Sequence, residues 1–356
     1  MATTPPTRQQ TIKQVVRDLS ALLPDDWSLR MDAPARRDRR PDFTARIEAP
    51  DGTEQVVLIE CKTRMTPRAV DAAVHQLQNY ADEFNPETLV IAAPYLTEMT
   101  RERISELGAN YIDSTGNVLL RANRPALLIR QDGAKKDPWP SDETLRSLRG
   151  RGTARAVRAV LDIAPPYGIR DLAARSEVPL GSLSRTVDLL DREGLVTRSP
   201  RGPITGVDWR RVLRRWAKDY DVATSNRVAT YLEPRGVPAF AARLATEAGR
   251  YAATGAFAAQ RFAPIAPARI AALYVDDVAD WADRLELRAT DTGANVWLLE
   301  PYDPVVFDRT TERGNITCVS ATQLAVDLLT GPGRDPAEGE ELLEWMERNE
   351  DAWRSR

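Results

Sequence analysis

The chain has 356 residues, room for two or three domains, and its 42% hydrophobic and 28% charged residues fit packed globular structure rather than disorder. No run approaches the ~18 apolar residues of a membrane span, and the opening MATTPPTRQQ lacks the basic and apolar regions of a secretory signal, so a cytoplasmic location is expected. Two cysteines with no CxxC pair and a single histidine argue against a disulfide scaffold, a thiolate zinc site, a His-rich metal site and a Ser-His-Asp triad, while the net charge of −3 alone says nothing about partners.

In chain order, the first segment predicts mixed α/β structure. Ile12, Val15, Val16, Leu19, Leu22 and Leu23 have helical spacing over Gln9 to Leu23. A short strand is expected over Trp27 to Met31. Asp42 to Ala49 and Glu54 to Lys62 are strand-like runs joined by the hairpin signal Pro50-Asp51-Gly52-Thr53. Thr66 and Pro67 open a helix as N-cap and first-turn proline, with the stripe Val70, Ala73, Val74, Leu77, Ala81 and Phe84. Leu89 to Ala93 reads as a buried strand and Arg101 to Leu107 as a helix stopped by Gly108. Two strands follow, around Tyr111 to Leu120 and Ala126 to Arg130, giving the order α-β-β-β-α-β-α-β-β. Gln131 to Glu143 and the glycines Gly150 and Gly152 punctuate the chain before three helices at Thr153 to Ile163, Ile169 to Arg175 and Leu183 to Glu193. Val196 to Val207 reads as a hairpin around Pro200-Arg201-Gly202-Pro203. Past a softer boundary near Tyr220 to Ser225, helices at Val237 to Ala248, Ala321 to Leu329 and Glu338 to Asn349 mix with strands at Ile270 to Val275 and Asn295 to Leu299, in a fold that pattern alone does not define.

The end of the second strand-like run has unusual chemistry. In Val56-Val57-Leu58-Ile59-Glu60-Cys61-Lys62, Glu60 and Lys62 share one face of an otherwise apolar strand. A solvated ion pair at a strand end, worth ~0–1 kcal/mol, is one reading. Phosphodiester hydrolysis is the other: carboxylates hold Mg²⁺ or Mn²⁺, and a lysine beside them positions or deprotonates water and stabilises charge. Asp42 must then reach the same place. In strict register about Asp51-Gly52 it falls opposite Cys61 and shares its face, whereas a one-residue bulge or an odd-length turn puts it with Glu60.

Pro41-Asp42, Glu60-Cys61-Lys62 and the element order resemble the PD-(D/E)XK family, the restriction-endonuclease-like fold. That resemblance implies Asp42 and Glu60 as metal ligands, the Cys61 carbonyl as a further one, and Lys62 as catalytic. Gln76 and Tyr80 match the Gln-x-x-x-Tyr pattern that many relatives have on the next helix, which adds Gln76 to the expected site. The acidic residue that some relatives have on the first helix has only a weak counterpart in Asp18. His75 lies on the second helix with no other histidine to pair with, and reads as a surface or structural residue rather than a ligand or base.

Charge distribution points to the middle of the chain. Arg146 to Lys218 contains 16 Lys and Arg against 7 Asp and Glu, a local balance of +9, so the remainder is acidic. Leu172, Ala173, Val178, Leu183, Val187 and Leu190 have the spacing to form a small core with Val157, Val160 and Leu161. Ser182, Ser184, Arg185 and Asp188 then lie on the outer face of the third of these helices, in position for a major groove. Arg198 and Arg201 fall in or near the hairpin tip, suited to phosphate or minor-groove contact. Arg211, Arg214, Arg215 and Lys218 share a helical face that could track phosphates or be an ordinary solvated face. This stretch resembles a winged helix-turn-helix, and double-stranded DNA is the expected partner.

From about Thr153 to Trp345 the chain also resembles the AbiEi-type antitoxins and transcription regulators of type IV toxin–antitoxin systems, through YLEPRG, YAATGAFAA, VSATQLAVDLL and the GPGR behind it. That resemblance implies promoter binding, a toxin partner and a dimer. Thr254-Gly255 reads as a turn or helix junction, Leu324 and Leu328 as core, and the acidic Asp335 to Arg356 as a solvated helix. The expected architecture is therefore α/β and multidomain: a nuclease-like domain over 1–135, a winged helix over 146–218 and an α/β domain over 219–356. The expected activity is metal-dependent DNA cleavage. The alternative is a non-catalytic regulator or antitoxin that uses a degenerate nuclease fold as an extra DNA clamp.

Overall fold

A computed structural model describes residues 4–31, 42–84, 88–139, 147–199, 202–263 and 266–356, with the side chains of 81–84 outside the description. The chain is mixed α/β and divides into two compact units, Met1–Thr144 with Asp191–Gly194, and Leu145–Leu190 with Leu195–Arg356.

The first unit runs α1 (Arg8–Leu22), β1 (Ser28–Met31), β2 (Phe43–Glu48), β3 (Glu54–Cys61), α2 (Pro67–Phe84), β4 (Thr88–Ala93), α3 (Glu98–Glu106), β5 (Asn110–Asp113), β6 (Val118–Asn123) and β7 (Ala126–Gln131). The seven strands form one sheet in sequence order. Its centre, β3-β4-β5, is parallel, because α2 and α3 carry the chain back across the sheet; the flanking pairs are antiparallel. A strand covered on both faces reads as a continuous apolar run, and Val57, Leu58 and Ile59 are all buried. Val57, Ile59 and Cys61 pack with Val15 and Leu19 of α1, while Leu58 packs with Val70, Ala73 and Leu77 of α2. Thr7 and Gln10 close a reciprocal capping box that sets where α1 begins.

One choice left open by the sequence is resolved, and one detail differs from expectation. The β2–β3 hairpin turns through an odd-length loop: Phe43 pairs with Ile59, Glu48 with Glu54, and Gly52 sits at the tip with φ +79°. Extended by one residue beyond the ladder, this register would bring Asp42 level with Glu60 rather than Cys61. The run expected as one strand from Tyr111 to Leu120 is split into β5 and β6 by a tight turn. There the buried Asp113 carboxylate accepts the backbone N–H groups of Thr115 and Asn117 and also that of Leu96.

In the second unit, α4 (Arg151–Asp162), α5 (Ile169–Ser176) and α6 (Leu180–Arg192) precede a hairpin of β8 (Val196–Arg198) and β9 (Ile204–Val207), with Tyr167 bridging to Ile204. Leu172, Val178, Leu183, Val187 and Leu190 are buried, as are Val157, Val160 and Leu161. Next come α7 (Trp209–Ala217) and α8 (Val222–Ser225). A second seven-stranded sheet is built from β10 (Arg227–Leu232), β11 (Tyr251–Thr254), β12 (Ala271–Val275), β13 (Arg288–Ala289), β14 (Val296–Glu300), β15 (Thr311–Arg313) and β16 (Ile316–Cys318), in the order β13-β10-β14-β12-β11-β16-β15. Its helices are α9 (Gly236–Leu244), α10 (Gly255–Ala259), α11 (Val278–Arg284), α12 (Ala321–Leu329), α13 (Asp335–Arg348) and α14 (Glu350–Trp353). Thr254 is the junction from β11 to α10, and Leu324 and Leu328 are core. No helix among the described residues is long and apolar enough to cross a membrane.

Candidate functional site

Asp42, Glu60 and Lys62 gather at the C-terminal end of β3. Glu60 follows a fully apolar stretch and is 2% exposed. Its Oε1 accepts from Lys62 Nζ at 2.6 Å, while its Oε2 is buried and has no hydrogen-bond partner among the described residues. A buried carboxylate oxygen without a donor is costly, and it is the feature that a bound cation would satisfy. Lys62 is the more exposed member of the pair: its side chain is partly exposed, and its backbone N–H donates to Ala92.

Asp42 stands one residue before β2, where the backbone bends out of the ladder. Its Oδ2 accepts the backbone N–H of Cys61 at 2.7 Å, on the residue between Glu60 and Lys62. The same oxygen accepts Arg8 Nε at 3.1 Å, and Oδ1 pairs with Arg8 Nη2. Each carboxylate therefore has its own cation, Arg8 on Asp42 and Lys62 on Glu60.

Burial pushes the Cys61 thiol up to about 11, so its sulfur is a protonated thiol at neutral pH. The thiol donates weakly to the Arg8 carbonyl at 3.9 Å, which seats the start of α1 against β3. Only the Cys61 carbonyl can serve as the ligand the sequence suggests. Gln76 is half-buried on α2 and donates to Tyr80 Oη at 3.0 Å; no hydrogen bond among the described residues links it to Glu60 or Lys62. His75 is exposed, and Asp18 accepts from Gln14 on its own helix. Among the described residues no three His, Cys, Asp or Glu side chains gather as a ligand group. A cation at Glu60 and Asp42 would complete its shell from main-chain, water and phosphate oxygens.

Sequence reasoning passed over Arg8 and Asp113. Arg8 falls at the first turn of an amphipathic helix, where an arginine reads as surface. Asp113 lies two strands across from β3 at the same sheet end, and Asp-Ser-Thr-Gly-Asn is a legible turn signal. Both its oxygens are taken up by backbone and by Thr115 and Asn117 side chains, so it organises the turn.

In the second unit, Ser182 and Ser184 are half-buried on α6 and Arg185 is exposed. Arg185 makes no ion pair among the described residues, and Asp188 on the same helix accepts from Arg198 Nη2 at 2.9 Å. Arg201 lies outside the described residues. The α7 arginines divide. Arg211 is half-buried, but Arg215, expected on an outer face, is 9% exposed and holds Asp219 at 2.5 Å. Arg210 and Arg214 pair with Glu347 and Glu340 of α13 at 2.8 and 2.7 Å. The acidic C-terminal helix is thus packed and paired rather than simply solvated.

Comparison of the chain with family models and with curated proteins gave no match.

Proposed function

We propose that this chain is a metal-dependent DNA endonuclease, in which a PD-(D/E)XK-type first unit is directed by a winged helix formed by α4, α5, α6 and the β8–β9 hairpin. The observation that carries this reading is the end of β3: a buried glutamate with an unsatisfied oxygen, a lysine on its other oxygen, and an aspartate fixed on the intervening amide. Glu60 and Asp42 would hold Mg²⁺ or Mn²⁺, which when bound would supply a Lewis acid for the phosphate and lower the pKa of water. The protein's own groups do the rest. The Cys61 amide orients Asp42. Lys62, 2.6 Å from Glu60, holds a positive charge beside it, where it steadies an attacking water and the developing phosphorane charge. Arg185 on the exposed face of α6 and Arg198 on β8 supply base and phosphate contacts, with Ser182 and Ser184 beside them.

A second reading has its own observation. Asp42 is already neutralised by Arg8 and an amide, as it would be in a nuclease-like clamp that no longer cuts, serving a promoter-binding regulator of the antitoxin type. Plasmid cleavage separates the two. With Mn²⁺ or Mg²⁺ the wild-type chain should cut, and EDTA should stop it. Lys62→Ala and Glu60→Gln should each lower the rate at least ~10²-fold while leaving DNA affinity within about threefold. Metal-independent binding with no cutting under any condition leaves the regulator.

A further inference from the structure

Arg8 has no place in the chemistry above, yet it pairs with both carboxylate oxygens of Asp42. Its guanidinium forks across both carboxylate oxygens, Nε to Oδ2 at 3.1 Å and Nη2 to Oδ1, the geometry in which arginine binds a carboxylate most strongly. The Asp42 side chain is only 10% exposed, whereas that of Arg8 is 51% exposed. The carboxylate is therefore fixed and desolvated, while its cation sits on a flexible arm reaching in from solvent. Two contacts persist if the arm leaves: the Cys61 N–H still holds Asp42 Oδ2, and the Cys61 thiol still touches the Arg8 carbonyl. Glu60 has the opposite character, with one buried oxygen open.

We propose that Arg8 is a built-in counter-ion that occupies the cation position at Asp42, so that a divalent metal and the Arg8 guanidinium compete for one carboxylate. This rests on the metal-dependent reading above. A metal reaching Glu60 meets an Asp42 that is free only in the fraction of molecules whose Arg8 has swung out, and apparent affinity falls by that fraction. Arg8 is on this account a positioning residue that tunes metal affinity.

The test is Mn²⁺ binding to the full chain, read as loss of the free-ion electron paramagnetic resonance signal with no DNA present. Arg8→Ala should bind Mn²⁺ about tenfold more tightly than wild type. Arg8→Lys keeps the charge but not the fork and should fall between them. Arg17→Ala removes an equal charge from an exposed position of the same helix and should match wild type. Glu60→Gln should abolish binding, both alone and combined with Arg8→Ala. Thermal melts confirm that each variant is folded. Equal, Glu60-dependent affinity in wild type and Arg8→Ala overturns the competition and leaves the metal site standing. Equal tightening by Arg17→Ala also overturns it, because net charge alone would then explain the gain. No Glu60-dependent binding in any variant removes the metal site itself, and the competition with it.

Discussion

Asp327 is fully buried in the second unit and meets donors rather than cations. Tyr220 Oη at 2.8 Å, Tyr274 Oη at 3.0 Å, Gln323 Nε2 at 2.8 Å and Thr254 Oγ1 at 2.5 Å all donate to it. Burial outweighs these bonds and raises its carboxyl from 3.8 to about 6. The sign follows from linkage. The unfolded chain releases this proton near pH 4 and the folded chain only near 6, so the group's stabilising contribution is complete below pH 4 and is lost as pH rises through 6. Asp335, also raised to about 6 by burial, acts in the same direction. Asp327→Asn should therefore flatten the Tm-against-pH curve between pH 4 and 7 relative to wild type, whatever its absolute Tm. A variant curve parallel to wild type would show that Asp327 titrates normally. The same residue scale explains what the sequence does and does not reveal at the candidate site. Glu60 and Lys62 stand out because charge interrupts an apolar strand. Arg8 does not, because an arginine at a helix start is chemically ordinary until a carboxylate 34 positions away lands on it.

At the scale of elements, α6 and the β8–β9 hairpin form a pair with an internal brake. Asp188 on α6 accepts from Arg198 on β8, and both lie on the face proposed for DNA. The pair neutralises a phosphate contact and sets a negative charge against the duplex. Asp188→Asn should therefore raise affinity for a random duplex about three- to tenfold and steepen the log–log salt slope by roughly one, as measured by fluorescence anisotropy across a salt series. An unchanged slope would place Arg198 away from DNA. Elements with strong periodicity, such as α1, α2, α6 and α12, are legible in the sequence to within about three residues of their ends. Register is not. One residue in the β2–β3 turn decides which face Asp42 takes, and the apolar alternation of β2 begins only at Phe43, so nothing before it specifies the choice. The β5–β6 turn is different: Asp113-Ser114-Thr115-Gly116 signals it locally, but the apolar ends of Tyr111 to Leu120 read as one continuous strand, and the Asp113 bonds that fold it back are side-chain chemistry that hydrophobic pattern alone does not carry.

For the molecule as a whole, the basic centre and acidic ends are in part an internal arrangement. Arg155 pairs with Asp303, Arg210 with Glu347 and Arg214 with Glu340, so much of the positive charge that suggests nucleic acid is met within the second unit. The more exposed Arg210–Glu347 and Arg214–Glu340 pairs are worth ~0–1 kcal/mol each. Arg158 is different. It is 2% exposed, pairs with Asp162 at 2.9 Å on its own helix, and donates to the carbonyls of Val305 and Asp308. Asp162 in turn accepts from Thr322 on α12. Through these two side chains α4, the first helix of the DNA-binding motif proposed above, is locked to the segment from Val305 to Gln323, more than a hundred residues onward. Removing one partner of a buried pair leaves an uncompensated charge and costs ~3–5 kcal/mol. Arg158→Met should therefore lose about that much and deprotect α4, the 304–308 turn and α12 together in hydrogen exchange, because they share one set of buried bonds. Adding Asp162→Leu should recover part of the loss, since the stranded carboxylate is then gone. Deprotection confined to α4 would mean that the helix is a separate folding unit and that the DNA-binding motif is tethered to the C-terminal sheet rather than built into it.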